Sequence, residues 1–450
     1  MRIAPDLSAE MRRILSLAWP VALTSLNWTI LHVTDVVVVG FTGTEQMAAL
    51  GASRALTFPG IVMGLGALSG VLVHVSRADG AKDLPGTGRA FHQGLLLAAA
   101  LGMLSALLLF AFAMPMLLAI GVAGEIAPHA AEVVRVMALA YPFQLLIVTA
   151  SFFLEGVSRP QRVTVVNLAI LPVNALLAWA LSAGHLGLPA MGATGAALAT
   201  TIASALGAAG MIAAAWTLPR AKARGVHDLS GIFSRDSLKG ALGLALFGLI
   251  PAIASGLELV GFSILIALST ELGDVTAHAF QLVFSIHNVT FSVALGLGSA
   301  AGVRVGNAVG EGVPQAAARR TAIAASLAAL ATGLLALLLI LVPAPFVALF
   351  PAVPEVHRIA LLMLPIWAPF ILFDGVQVVF VYALRSLGDQ VAAGINSVIA
   401  FFLVTGGAGL VFVRLWGWEA TGLVLASGIG MVVAAALHGA RLWRVSRRFR

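Results

Sequence analysis

The chain has 450 residues, of which 60% are hydrophobic and only 10% are charged. A soluble globular domain carries about 25% charged residues and about 45–50% apolar ones, so this composition excludes a soluble multidomain enzyme and a disordered chain. Its long apolar runs, rich in Ala, Leu, Gly and Val, also exclude the short alternating strands of a membrane β-barrel. We therefore expect a helical protein that crosses a membrane several times.

The cysteine count, the charge and the absence of known motifs exclude further classes of function. Without any Cys, disulfides, thiolate metal sites and thiol catalysis are excluded. A net charge of +7 could indicate nucleic-acid binding in a soluble protein, but we expect no such partner in a chain this apolar. The sequence contains no phosphate-binding loop, no HExxH motif and no serine triad. We expect neither an ATP-driven pump nor an enzyme, and no cofactor.

Twelve apolar segments follow one another, each with at least the ~20 residues that a helix needs to cross about 30 Å of hydrocarbon. The longest polar connection falls between the sixth and seventh segments, which predicts two six-helix lobes. The segments are 14–40, 46–76, 88–120, 126–156, 162–184, 190–218, 237–270, 275–306, 316–349, 355–385, 389–415 and 418–443. The predicted regions are an N-terminal tail (1–13), an N-lobe (14–218), a linker (219–236), a C-lobe (237–443) and a basic C-terminal tail (444–450).

The distribution of Lys and Arg predicts the orientation in the membrane. If the N-terminus lies inside, all of the 26 Lys and Arg except Arg54, Arg135, Arg358 and Arg414 fall in tails or loops on the inner side. Positive residues in short loops concentrate on the cytoplasmic side. We therefore expect a multi-pass protein with both termini in the cytoplasm and an even number of spans.

The two halves contain related strings. Residues 64–80 (GLGALSGVLVHVSRADG) and 296–312 (GLGSAAGVRVGNAVGEG) align without gaps at an offset of 232. Since six spans form each repeat, the repeats have the same orientation and are related by an axis along the membrane normal. Two pseudo-symmetric six-helix bundles around a central cleft are typical of an alternating-access carrier.

Three acidic residues, Asp35, Glu258 and Asp374, lie inside apolar segments. An ionisable group at that depth costs several kcal/mol unless it is paired or faces water, so each is a candidate site for a coupling cation. The alternative is a packing carboxyl that is hydrogen-bonded to a neighbouring helix. In the repeat alignment Glu258 falls on Asn27 and Asp374 on Gln144, so the halves differ in charge. We expect these acids to have no basic partner.

Other polar and aromatic residues are weaker candidates. Asn174 and Thr200, with Asn27 and Gln144, could offer oxygens to a cation or substrate in the N-lobe, although interhelical hydrogen bonds are a common alternative. His287 could relay protons. Candidate residues for the substrate cleft, for which core or lipid packing is the alternative, are Trp28, Phe143, Phe284 and Phe370.

Several strings, spread over almost the whole chain, carry a resemblance to a known family. They are LAWPVALTSL and TDVVVVG in the first segment, GATGAALAT in the sixth, GLELVGFSILIAL in the seventh, VTFSVALGLGSAAGVRVGNAVGEG in the eighth and FDGVQVVFVYALRSLGD in the tenth. The chain resembles the bacterial multidrug and toxic compound extrusion (MATE) transporters and is most similar to their NorM-like branch. The resemblance implies twelve helices in two lobes, a place in the bacterial inner membrane, and cation-coupled export of bulky, often cationic amphiphiles.

The resemblance also implies roles for particular residues. The C-lobe carboxylates of the family correspond to Glu258 and Asp374, which would hold H⁺ or Na⁺, and its first-segment acid corresponds to Asp35. Its cation-site Asn and Thr correspond to Asn174 and Thr200. The chain departs from the family at two positions, where Phe370 replaces a Tyr and Ile170 replaces an Asn. Each departure removes an oxygen that could coordinate Na⁺.

Two functions share this architecture. The favoured one is a secondary-active multidrug exporter, functional as a monomer, that exchanges H⁺ or Na⁺ inward for organic substrates outward. The alternative is a flippase for a lipid-linked saccharide, whose cleft should be rich in cations because it must hold a pyrophosphate. Arg54 is the single deep cation in the sequence and the other deep charges are acids, which favours the exporter. A channel is disfavoured because two dissimilar halves do not readily form a symmetric pore.

Overall fold

A computed structural model describes residues 7–449, except for the side chain of Phe449. Arg2 and Arg450, which belong to the Lys and Arg predicted on the cytoplasmic side, lie outside the described residues. Within the described range all regular elements are helices, which confirms the predicted all-α class.

The helices are joined by short turns, apart from the longer connection between Trp216 and Arg235. Within the helix that begins at Gln390, Val398–Thr405 and Val411–Leu415 have the wider π-helical winding. The helices are α1 (Leu7–Gly40), α2 (Thr44–Gly80), α3 (Leu84–Ala119), α4 (Ala127–Ala138), α5 (Tyr141–Gly156), α6 (Pro160–Ala183), α7 (Gly192–Trp216), α8 (Arg235–Glu271), α9 (Asp274–Gly310), α10 (Gln315–Leu341), α11 (Pro343–Ala348), α12 (Pro354–Trp367), α13 (Phe370–Ser386), α14 (Gln390–Leu415) and α15 (Glu419–Ser446).

Ten of these helices are long and apolar enough to cross a membrane, and two bent pairs bring the spans of the described chain to as many as twelve. The pair α4 and α5 is bent by 45°, and the pair α12 and α13 by 55°. Pro142 and Pro369 lie at these two breaks. Proline cannot donate the helical hydrogen bond and clashes with the preceding turn, so each bend has a proline beside it.

The chain packs into two compact units. The N-unit comprises residues 24–79 and 83–252, and the C-unit comprises 80–82 and 253–449 together with residues 7–23. The helices α1 and α8 are therefore each divided between the units. The N-unit also includes the predicted linker (219–236), and residues 80–82 of the predicted N-lobe belong to the C-unit. The units therefore do not coincide with the predicted lobes, whose limits stay a prediction.

Each unit has its own aliphatic and aromatic core. In the N-unit, the rings of Phe91 and Phe153 stack with their centroids 4.3 Å apart, and Leu68 and Leu154 are buried with them. In the C-unit, a larger core from α8, α9, α12, α14 and α15 surrounds the buried ring of Trp367.

Gly66 allows α2 to approach α8 closely within the N-unit. A Cβ atom at Gly66 would lie 2.7 Å from the carbonyl oxygen of Pro251 and 2.8 Å from the Cα of Ala252. Because these neighbours are backbone atoms, Gly66→Ala is expected to lower the free energy of unfolding by about 1–3 kcal/mol. Gly51→Ala, in the same helix with no atom within 4 Å, is the control, and should be neutral or gain up to about 1 kcal/mol. If Gly66→Ala and Gly51→Ala unfold at the same midpoint in a detergent titration, Gly66 is not needed for the close approach of α2 and α8.

Candidate functional site

A cavity in the N-unit brings together six of the predicted site residues. It contains about 1060 Å³ of empty space, part of which is open to solvent. Its walls come from α1, α2, α5, α6 and α7, with Met137 contributed by α4, and are largely apolar. The six predicted residues that line it are Asn27, Trp28, Asp35, Gln144, Asn174 and Thr200.

Asp35 is the acidic group of this cavity, and it is buried with 7% of its surface exposed. Its Oδ2 accepts hydrogen bonds from Arg54 Nη2 at 3.0 Å and from Thr200 Oγ1 at 3.5 Å. Its Oδ1 accepts a bond from Asn174 Nδ2 at 3.4 Å. The structure therefore brings together Asp35, Asn174 and Thr200, which come from three different helices.

The expectation that Asp35 has no basic partner is wrong, because Arg54 on α2 forms an ion pair with it. The sequence contains a signal for this pair, since Arg54 lies inside an apolar segment, where an unpaired cation is unfavourable. However, the two residues lie 19 positions apart on different helices. Which face each helix presents to the other depends on packing, which local spacing does not specify.

Asn27 and Gln144 line the same cavity. Asn27 is 1% exposed, and its Oδ1 has no hydrogen-bond partner among the described residues. Gln144 Nε2 donates to Ser204 Oγ at 3.5 Å. A buried acceptor without a donor is unfavourable, so the Asn27 oxygen is available to a bound group.

The C-unit holds the other two predicted acids. Asp374 on α13 is 3% exposed, and its Oδ1 accepts a hydrogen bond from Gln377 Nε2 at 3.1 Å. Its Oδ2 lies 3.9 Å from Nε2 of His287 on α9. That distance allows an ion pair when the imidazole is protonated.

Glu258 on α8 is half-buried and makes no hydrogen bond or ion pair with the residues that the structure describes. It lies within electrostatic range of Asp374 and of Arg385, so two carboxyls share one region of the C-unit. Arg385 is not bonded to either carboxyl, and its Nε is buried without a partner in the described chain. Of the three acids, Glu258 thus has no basic partner among the described residues, as expected, whereas Asp374 has no Lys or Arg partner but lies 3.9 Å from the imidazole of His287.

The imidazole of His287 is enclosed by aromatic rings. Its centroid lies 5.0 Å from that of Trp367, 5.7 Å from that of Phe284 and 5.6 Å from that of Phe291. Phe284, Trp367 and His287 also line a small cavity in the C-unit. His287 Nδ1 is buried and has no partner among residues 7–449.

The remaining predicted aromatics occupy other surroundings. Phe370 packs against the C-unit core, with its ring beside Gly428. Phe143 is half-buried on α5. Neither residue lines the N-unit cavity or the small C-unit cavity, and their contribution to a substrate cleft stays a prediction.

Comparisons with known proteins agree with this architecture. The sequence pattern of the MatE family matches residues 20–180 and 251–406. A probable multidrug resistance protein NorM from Mesorhizobium japonicum is 31% identical over 97% of this chain and 94% of its own length. The multidrug resistance protein NorM of Burkholderia vietnamiensis is 30% identical over 86% and 83%, respectively.

Solved structures show the same fold. The eukaryotic MATE transporter AtDTX14 superposes with a TM-score of 0.87 at 19% identity and covers 99% of both chains. A MOP superfamily transporter from Pyrococcus furiosus superposes with a TM-score of 0.86 at 18% identity, over 98% of this chain and 96% of that one. The matched sequence pattern extends over both repeats and includes Asp35, Glu258 and Asp374, and the chain therefore belongs to the MatE family.

Proposed function

We propose that this chain is a multidrug exporter driven by an ion gradient and not an enzyme. It would exchange H⁺ or Na⁺ inward for small organic, often cationic molecules outward. The observation that carries the proposal is the pair of C-unit carboxyls, Asp374 and Glu258, which lie in membrane-spanning helices without a hydrogen-bonded Lys or Arg. The multidrug resistance names of its relatives support the same activity.

The chemistry of these carboxyls supports coupling by competition. A carboxylate in surroundings of low dielectric constant is stabilised when a proton, a metal ion or an organic cation neutralises it. Oxygen ligands from Glu258 and Asp374 suit Na⁺ as well as H⁺, while His287 beside Asp374 favours a proton route. Binding of the ion would displace a cationic substrate, and Asp35 would assist coupling or substrate release.

The membrane potential is sufficient for useful export. One cation that moves inward through 100 mV releases about 2.3 kcal/mol. This sustains roughly a fortyfold gradient of a neutral substrate. A monovalent cationic substrate needs more than one coupling ion for the potential itself to contribute.

The proposed location is the bacterial inner membrane, with both termini in the cytoplasm and the monomer as the functional form. The concentration of Lys and Arg in the predicted inner loops supports this orientation. The flippase alternative has no support from the relatives, whose names refer to multidrug resistance. The acids of the C-unit also disfavour a pyrophosphate.

Transport by the purified protein tests the proposal. Proteoliposomes that contain the full chain should accumulate ethidium or norfloxacin against its gradient when a pH or Na⁺ gradient is imposed, without ATP. Collapse of the effective gradient by an ionophore should abolish the accumulation, and empty liposomes are the control. Accumulation that needs ATP, or that neither gradient drives, would refute ion-coupled export.

A further inference from the structure

The carboxylate of Asp35 is already neutralised by a side chain of the same unit. Arg54 Nη2 lies 3.0 Å from Oδ2, and the remaining bonds to the carboxylate come from the neutral donors Thr200 and Asn174. Arg keeps its charge under all physiological conditions. One full positive charge therefore faces this acid whether or not a free ion is present.

The guanidinium of Arg54 is also held from a second side. Its Nη1 donates to the carbonyl oxygen of His32 at 3.3 Å, three residues before Asp35 on α1. The side chain is 20% exposed, and that of Asp35 is 10% exposed. These two contacts place the guanidinium beside α1, in direct contact with the Oδ2 atom of Asp35.

The neutral ligands are arranged for a carboxylate that already has its counter-ion. A free alkali cation would need oxygens around it, but Asn174 presents its N–H to Asp35. The Oδ1 atoms of Asn174 and Asn27 are buried without partners among the described residues. Each residue is 1% exposed, so the cavity contains unused oxygens but lacks an available negative charge.

We propose that Arg54 is a tethered cation that occupies the Asp35 site of the N-unit and excludes free alkali cations from it. A second positive charge beside the same carboxylate would be repelled by the guanidinium and would have to give up its water. Coupling ions then bind in the C-unit alone. This last step rests on the proposed function, whereas the exclusion itself does not.

Binding of radioactive Na⁺ to the purified full chain at pH 8 tests the exclusion. The measured quantity is the Asp35-dependent part, which is the binding lost when Asp35→Asn is added. It should appear in Arg54→Gln and should be absent from the wild type even at a Na⁺ concentration a hundredfold above the one that half-saturates Arg54→Gln. Arg54→Lys keeps the charge and should resemble the wild type, as should the exposed control Arg135→Gln.

Each result decides the inference. Asp35-dependent Na⁺ binding in the wild type overturns it, as does its absence from folded Arg54→Gln. If Arg54→Gln does not fold, Arg54→Met is a second variant that removes the charge. The comparison of the wild type with Asp35→Asn requires neither of these two Arg54 variants. Because the assay measures no transport, failure of the proposed export and failure of this exclusion are distinguishable.

Discussion

Asp374→Asn is expected to reduce gradient-driven transport at least tenfold. The substitution keeps the shape of the side chain and the oxygen that accepts from Gln377 Nε2, but it removes the negative charge that a proton or metal ion would neutralise. The measurement is uphill substrate uptake by proteoliposomes under an imposed gradient. Glu258→Gln is expected to have the same effect, because the two carboxyls share one region of the C-unit.

Exposed acids provide matched controls for this prediction. Asp236 lies in the first turn of α8, and Glu125 lies between α3 and α4. The control variants are Asp236→Asn and Glu125→Gln. Both controls remove a carboxylate from an exposed position and should leave uptake unchanged. The prediction is wrong if Asp374→Asn and Glu258→Gln elute as single folded species and take up substrate at the wild-type rate. The C-unit acids would then not couple transport to the gradient.

Glu10→Gln is expected to lower the free energy of unfolding by about 3–5 kcal/mol. Arg304 Nε and Nη2 donate to the two Glu10 oxygens at 2.6 and 2.8 Å, and both residues are at most 3% exposed. Arg320 lies beside them and donates to Glu311 Oε2 at 2.7 Å. Without Glu10, the buried guanidinium of Arg304 loses its counter-ion, which is unfavourable in surroundings that exclude water.

The exposed pair of Glu271 and Arg414 is the matched control. Their side chains are 46% and 56% exposed, so Glu271→Gln should change stability by about 0–1 kcal/mol. Unfolding in a detergent titration, followed by circular dichroism, measures both variants. If Glu10→Gln lowers the free energy of unfolding by no more than Glu271→Gln does, the buried pair of Glu10 and Arg304 does not stabilise the fold.

The fold could be predicted largely from local features of the sequence. The apolar segments have the length that a bilayer requires, and their ends follow polar, Gly and Pro residues. Pro142 and Pro369 likewise lie where two spans bend. The division of α1 and α8 between the units has no such local signal, because it depends on contacts such as the one between Gly66 and Ala252.

A multi-span helical protein with acids in its spans could be predicted from the residues alone, because hydrophobicity, segment length and charge are local properties. Which of these acids have a partner became clear from the packed helices. Asp35 meets Arg54, and Glu10 meets Arg304 at a separation of 294 residues, whereas Glu258 bonds to neither Lys nor Arg in the described chain. An ion pair depends on the rotation of each helix about its axis and on the neighbours of that helix. Both are set by the packing of the whole chain.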